Sequence, residues 1–213
     1  TLVQRAAREK IGNIKFLTAL KTMPPALHAL CGSDKTDGFL CPGHVAVITG
    51  SDPFARLAER YEKAMVIGGF ARSELLRAMT RLVLVAGCKK TGLWNEYATV
   101  VKPEGNLLAQ QAMDEVFEAG SATWRGLGSL PGSGLYIREE YGAWDAGSRG
   151  LDLDRVPPGC LCNRIILGDA LPQQCPFFGK KCTPQHPVGA CMVSSEGSCC
   201  ITWREGRAGA REE

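Results

Sequence analysis

Ten cysteines occur in this 213-residue sequence, and seven of them fall between Cys160 and Cys200. The other three, Cys31, Cys41 and Cys88, stand singly and far apart. Clustering on this scale constrains the fold more than any other feature. A disulfide-stapled chain spreads its cysteines, whereas a local cluster points to local sulfur chemistry, metal binding or dithiol exchange. The same region carries six of the twelve prolines between Pro157 and Pro187. Few periodic apolar runs survive there, so the segment lacks the means to build a hydrophobic core of its own and needs a metal or disulfide staple.

The preceding residues read differently. Apolar residues recur near helical spacing over Leu2–Lys21, and the Pro24-Pro25 pair closes that predicted helix. Strands are predicted at Thr36–Leu40 and, after a Pro42-Gly43 turn, at Val45–Thr49. Ser51 or Asp52 caps a helix that opens with Pro53. Met65–Gly69 is a short apolar strand, Ser73–Ala86 a helix capped by Ser73, and Ala98–Val101 a further strand. Gly105–Ala119 reads as an amphipathic helix with Leu108, Ala112, Val116 and Ala119 on one face. Strands alternating with helices imply an α/β fold, a mostly parallel sheet with flanking helices plus a small irregular cysteine-rich domain. The composition shift places the domains at 1–155 and 156–213.

Charge and hydropathy narrow the function classes. Twenty-five Lys and Arg against 22 Asp and Glu give +3, too balanced to indicate nucleic acid or an anionic membrane as a partner. No apolar run approaches the ~20 residues that span a bilayer. No basic-then-apolar leader opens the sequence, so the expected compartment is the reducing cytoplasm, where metal or redox use of thiols is favoured over structural disulfides. There is no P-loop, and Gly126-Leu127-Gly128 lacks the third glycine of a dinucleotide motif. It reads as a turn near a strand end. His44 and His186 read as structural or turn residues, and Asp145 as part of a solvated face.

From Cys160 the spacing is C-x-C-x12-C-x6-C-x8-C-x7-C-C. Soft thiolate ligands suit iron–sulfur clusters and zinc. The spacing is neither that of bacterial ferredoxins nor of paired zinc knuckles, and it leaves iron–sulfur and zinc both open. Six or seven thiols exceed the four a cubane needs, which leaves a surplus for dithiol–disulfide chemistry.

A family resemblance rests on a long signature. It runs Cys175-Pro176-Phe177-Phe178-Gly179-Lys180-Lys181-Cys182-Thr183-Pro184, then Pro187-Val188-Gly189-Ala190-Cys191-Met192-Val193-Ser194-Ser195-Glu196-Gly197-Ser198-Cys199. This resembles the signature of the HypD family of hydrogenase maturation proteins. Asp37-Gly38-Phe39, Pro42-Gly43-His44-Val45, Asn95-Glu96-Tyr97, Lys102-Pro103-Glu104-Gly105-Asn106, Trp124-Arg125-Gly126 and Ser133-Gly134-Leu135 are similar to upstream blocks of the same family. The family's Cys-Gly-Thr-His and Gly-Pro-Gly-Cys-Pro-Val-Cys motifs do not occur here, so the sequence resembles a C-terminal portion. Gly69-Phe70-Ala71-Arg72-Ser73 also departs from the family pattern.

The resemblance implies a redox-active [4Fe-4S] cluster held by Cys160, Cys175, Cys182 and Cys199, beside a dithiol formed by Cys162 and Cys191. Cys200 lies outside the family pattern and is expected to be a bystander. The implied role is assembly of the Fe(CN)2CO unit of nickel–iron hydrogenases, as a scaffold with thiol and iron–sulfur redox activity. The implied partners are a HypC-like chaperone and a HypE-like cyanide donor. The alternative is a non-catalytic interaction module whose metal site is purely structural.

Overall fold

The computed structural model describes residues 1–124, 126–150 and 157–208. The chain divides into two compact units, Thr1–Ala122 with Pro131–Leu151, and Thr123–Leu130 with Asp152–Glu213. The domain boundary expected at 155/156 lies outside the described residues.

The first unit is built on a parallel sheet in the order β1-β2-β3, with β1 at Gly38–Pro42, β2 at Ala64–Gly68 and β3 at Gly92–Asn95. Leu40 stands opposite Val66, and Val66 opposite Trp94. Strand β2 shows why the sheet forms. Its side chains alternate, so Met65 and Ile67 enter one core and Ala64 and Val66 the other. Every residue of β2 is buried, as expected of a central parallel strand covered on both faces. Each fully buried aliphatic side chain contributes about 1.5–3 kcal/mol.

Helices cover both faces. Before the sheet come α1 (Leu2–Arg8) and α2 (Met23–Cys31), and after β1 come α3 (Gly43–Thr49) and α4 (Asp52–Tyr61). Leu27 of α2 and Phe54 and Ala58 of α4 pack on Met65 and Ile67. On the opposite face α5 (Arg72–Gly87) sets Ala78 and Val85 against Ala64 and Val66. Helix α6 (Leu107–Val116) leads into β4 (Phe117–Trp124), which pairs with β5 (Gly128–Ile137) in a separate two-stranded sheet. The short connection around Gly126 and Gly128, both at positive φ, is the turn that the sequence implies. Among the described residues no helix is long and apolar enough to cross a membrane.

Several local expectations are corrected. Helix α1 stops at Arg8, and Pro24-Pro25 opens α2 rather than closing α1, because proline fits the first helical turn, where no intrahelical donor is needed. Residues 16–22 instead run extended. Phe16 N–H donates to Trp144 O, and Thr22 N–H to Ser133 O. The Val45–Thr49 strand is helix α3. There the Thr49 hydroxyl donates to Val45 O four residues back, and Gly50 at φ +83 ends the helix. Ala98–Val101 is a turn in which the Val101 amide donates to Tyr97 O, and the third strand lies at Gly92–Asn95. Helix α5 starts one residue before Ser73, with Glu74 accepting from the Ala71 amide. Helix α6 ends at Val116, which is buried, while Leu108 faces outward.

The blocks shared with the family act in the first unit as loop staples. Asn95 donates its side-chain amide to Val101 O and accepts from Tyr97 N–H, which shapes the turn after β3. The Lys102–Asn106 loop accepts from the Ser51 and Asp52 amides, and Asn106 caps α6 by accepting from Ala109 N–H. Glu96 pairs with Arg77 and Arg81 of α5. Asp145 does more than face solvent. Its Oδ1 accepts from the Ser148 hydroxyl and from the Ser148 and Gly147 amides. Burial raises its pKa, but these hydrogen bonds outweigh that and hold it below the usual carboxylate value.

Candidate metal and thiol centre

The second unit has little regular structure. It contains α7 (Cys162–Ile166), α8 (Ala190–Val193), α9 (Ser198–Ala208) and turns between them. Prolines and hydrogen-bonded turns place each cysteine. Cys160 N–H donates to Pro157 O, and Cys175 N–H to Pro172 O. The Cys175–Cys182 stretch folds back on itself: Phe178 N–H donates to Cys175 O, and Cys182 N–H to Phe177 O. Cys191 rides on α8, and Cys199 and Cys200 on the first turn of α9.

These turns converge. Cys162, Cys175, Cys182, Cys191, Cys199 and Cys200 make up six of the nine buried residues of one core cluster, with Cys160 packed half-buried against it. Phe177, Phe178, Val188 and Trp203 surround them. Cys200, the expected bystander, is 2% exposed and packs as a small apolar residue.

Two of these sulfurs are in direct contact. Cys162 Sγ lies 3.0 Å from Cys191 Sγ, and both residues are buried. The Cys191 amide also donates to the Cys162 sulfur at 3.4 Å, while the Cys191 thiol donates to Cys162 O at 3.7 Å. Its hydrogen bond to Cys162, then burial, push the Cys191 thiol pKa strongly up. The pair is therefore held sulfur to sulfur by the backbone of both residues.

Cys160, Cys175, Cys182, Cys199 and Cys200 complete the cluster. Cys182 Sγ accepts from Val188 N–H at 3.3 Å. Burial, followed by the charges of Cys162, Cys182, Cys175 and Cys160, raises the Cys199 thiol to about 11. Burial likewise raises Cys160, against a hydrogen bond to the Cys162 backbone that lowers it, and the charges of Cys175, Cys162 and Cys182 add to the rise. Thiolates gathered in a buried space repel one another unless a cationic centre offsets their charge. That donor set fits an iron–sulfur cluster. Among the described residues no three such side chains converge on the point that a single metal ion would occupy. Cluster ligands have no need to converge, because each thiolate takes a different iron.

His44 and His186 stay outside this centre. His44 is exposed on α3 with its ring 5.0 Å from that of Phe70, and His186 is an exposed turn residue bonded through its backbone to Thr183. Sequence reasoning missed the part played by glycine. A Cβ on Gly126, at the tip between β4 and β5, would lie 2.6 Å from Ile166 Cδ1 and 3.6 Å from Cys162 Sγ. A Cβ on Gly197 would lie 2.2 Å from Cys191 O, so α8 and α9 meet there backbone to backbone. The available signal was that both glycines sit inside the family-like blocks.

The family model HypD, described as the hydrogenase formation hypA family, matches residues 1–206. Hydrogenase maturation factor HypD of Rhodobacter capsulatus is 37% identical over 220 residues, covering 99% of this chain and 58% of that protein. HypD1 of Bradyrhizobium diazoefficiens is 38% identical over 214 residues, with 95% and 56% covered. HypD of Escherichia coli is 36% identical over 205 residues, with 93% and 55% covered. The chain thus spans a little over half the length of the curated relatives it matches. By a match that runs over nearly all of its residues, the chain belongs to the HypD family of hydrogenase formation proteins.

Proposed function

We propose that this chain is a redox-active iron–sulfur component of nickel–iron hydrogenase maturation, working in the cytoplasm, and that it assists assembly of the Fe(CN)2CO unit. In this reading Cys160, Cys175, Cys182 and Cys199 hold a [4Fe-4S] cluster, and Cys162 and Cys191 form the neighbouring dithiol. The partners are a HypC-like chaperone and a HypE-like cyanide donor, and the Fe(CN)2CO unit is cargo. A bound [4Fe-4S] cluster supplies one-electron transfer.

The observation that carries the reading is the buried Cys162–Cys191 pair at 3.0 Å, with five further cysteines in the same core. A metal site that only staples a small domain needs four ligands and no adjacent dithiol. Closing the Cys162–Cys191 disulfide joins the two sulfurs and passes two protons and two electrons to an external two-electron acceptor. Opening it takes them up again. Burial keeps bulk water and foreign thiols from the pair, and the Cys191 amide at the Cys162 sulfur favours charge on Cys162 when a proton leaves.

The test is anaerobic purification followed by absorption spectroscopy with iron and sulfide analysis. The expected result is a brown protein with about four iron and four sulfide per chain. Bound zinc without sulfide would sink the cluster assignment and favour the structural-module alternative.

A further inference from the structure

We propose that Gly189 is a positioning residue for the Cys160-x-Cys162 step: the absence of a side chain there lets the backbone entering α8 lie against both sulfurs, and so fixes the approach of Cys162 to Cys191. The inference rests on the reading of Cys162 and Cys191 as a dithiol.

The geometry is direct. A Cβ built on Gly189 would stand 2.7 Å from Cys160 Sγ, 3.2 Å from Cys162 Cβ and 3.7 Å from Cys162 Sγ. The first distance is closer than side-chain carbons come, and the second requires Cys162 to give way. Backbone strain is not the reason for glycine, since Gly189 sits at φ −100 and ψ 156, an extended conformation open to any residue. The requirement is space alone. Gly189 O accepts from Met192 and Val193 N–H, which anchors the residue to the start of α8, and two residues on the Cys191 amide donates to Cys162 Sγ. A side chain at 189 therefore pushes on Cys160 and on the base of Cys162 from the segment that carries Cys191. With Cys160 fixed in place, the push falls on the separation between Cys162 and Cys191.

A double-mutant cycle separates this role from a general packing defect. The wild-type chain, Gly189→Ala, Cys160→Ala and the double variant are purified anaerobically, reduced with a phosphine and treated with the two-electron diazene oxidant diamide. Closure of the Cys162–Cys191 disulfide is followed by peptide mass spectrometry. In that step the sulfurs join, and the oxidant takes up both electrons and both protons. Gly189→Ala is expected to slow closure by about tenfold, the scale of a modest overpacking strain. On the Cys160→Ala background, where the 2.7 Å clash has no sulfur to strike, the slowing shrinks to less than about threefold. Thermal unfolding of the same four proteins guards against misfolding. Folding lost in Gly189→Ala and restored in the double variant supports the steric role, and folding lost in both overturns it. Wild-type closure rates in Gly189→Ala, or equal slowing on both backgrounds, also overturn it while the dithiol reading stands. A wild-type chain that never forms the Cys162–Cys191 disulfide overturns the dithiol reading itself, and the positioning role with it.

Discussion

The two cores of this protein are made of different materials. In the first unit, a central strand alternates Met65 and Ile67 with Ala64 and Val66, and helices close over both faces. In the second, cysteines supply six of nine buried core residues, and α7 and α8 are only five and four residues long. Periodic apolar sequence lets the first unit draw its stability from hydrophobic burial. The second has sulfur where another small domain would have leucine, so its stability is coupled to whatever chemistry those sulfurs undertake.

The largest expected effect tests that coupling. Cys175→Ser or Cys182→Ser places a hydroxyl in a buried thiol site and removes one proposed cluster ligand. Limited proteolysis should then cleave the segment from 157 onward while the sheet unit stays intact, and the brown colour should be lost. Protection equal to wild type would show that the second unit folds without its sulfur chemistry.

The converse substitution acts on the other core. Met65 is fully buried, and Met65→Ala should cost about 2–5 kcal/mol in denaturant unfolding. Iron content per folded chain should not change. A parallel loss of iron would mean that the two cores do not behave separately.

Alkaline pH adds a third comparison, because the sheet unit also holds buried thiols. Burial, with a smaller contribution from Cys31, raises Cys41 to about 12, and burial raises Cys31 to about 11 against a nearby Lys63 that lowers it. Between the unfolded value of 9.0 and these folded values, the unfolded chain has lost protons that the folded chain retains. Stability therefore holds below pH 9 and falls as pH rises through that window. Cys41→Ala should flatten the decline, as read from unfolding midpoints across the alkaline range. In the same solutions exposed Cys88 should be alkylated well before Cys31 or Cys41.

The smallest effect belongs to a polar joint in the sheet unit. The Ser148 hydroxyl donates to Asp145 and accepts from Thr18 N–H, and the residue is buried. Ser148→Ala should cost about 1–3 kcal/mol by leaving the Thr18 amide without this acceptor. Dithiol closure in the second unit should not change, and a change there would break the contrast between the two cores.

Legibility in the sequence followed the strength of the local signal. Met65–Gly69 read as a strand because a central parallel strand is apolar at every position, and α4 was marked by Pro53 in its first turn. Val45–Thr49 misled because β-branched residues suggest a strand, while the Thr49-to-Val45 hydrogen bond and the Gly50 turn make that run a helix. Residues 14–21 misled through apolar spacing that never becomes a buried face: Leu17 and Leu20 are exposed, and the backbone there bonds instead to residues 133–146.

The sequence alone determined that this chain would have an α/β unit followed by a cysteine centre, and it pointed to the HypD family, because periodicity and clustered cysteines are properties of neighbours in the chain. It also marked out Cys162 and Cys191 as a pair, but only through resemblance, since 28 residues lie between them. Tertiary structure alone decided that their sulfurs lie 3.0 Å apart and that Gly189 has no room for a side chain beside them. Distances of that kind depend on how turns far apart in sequence pack together, and close packing is a property of the folded volume that no local pattern of residues encodes.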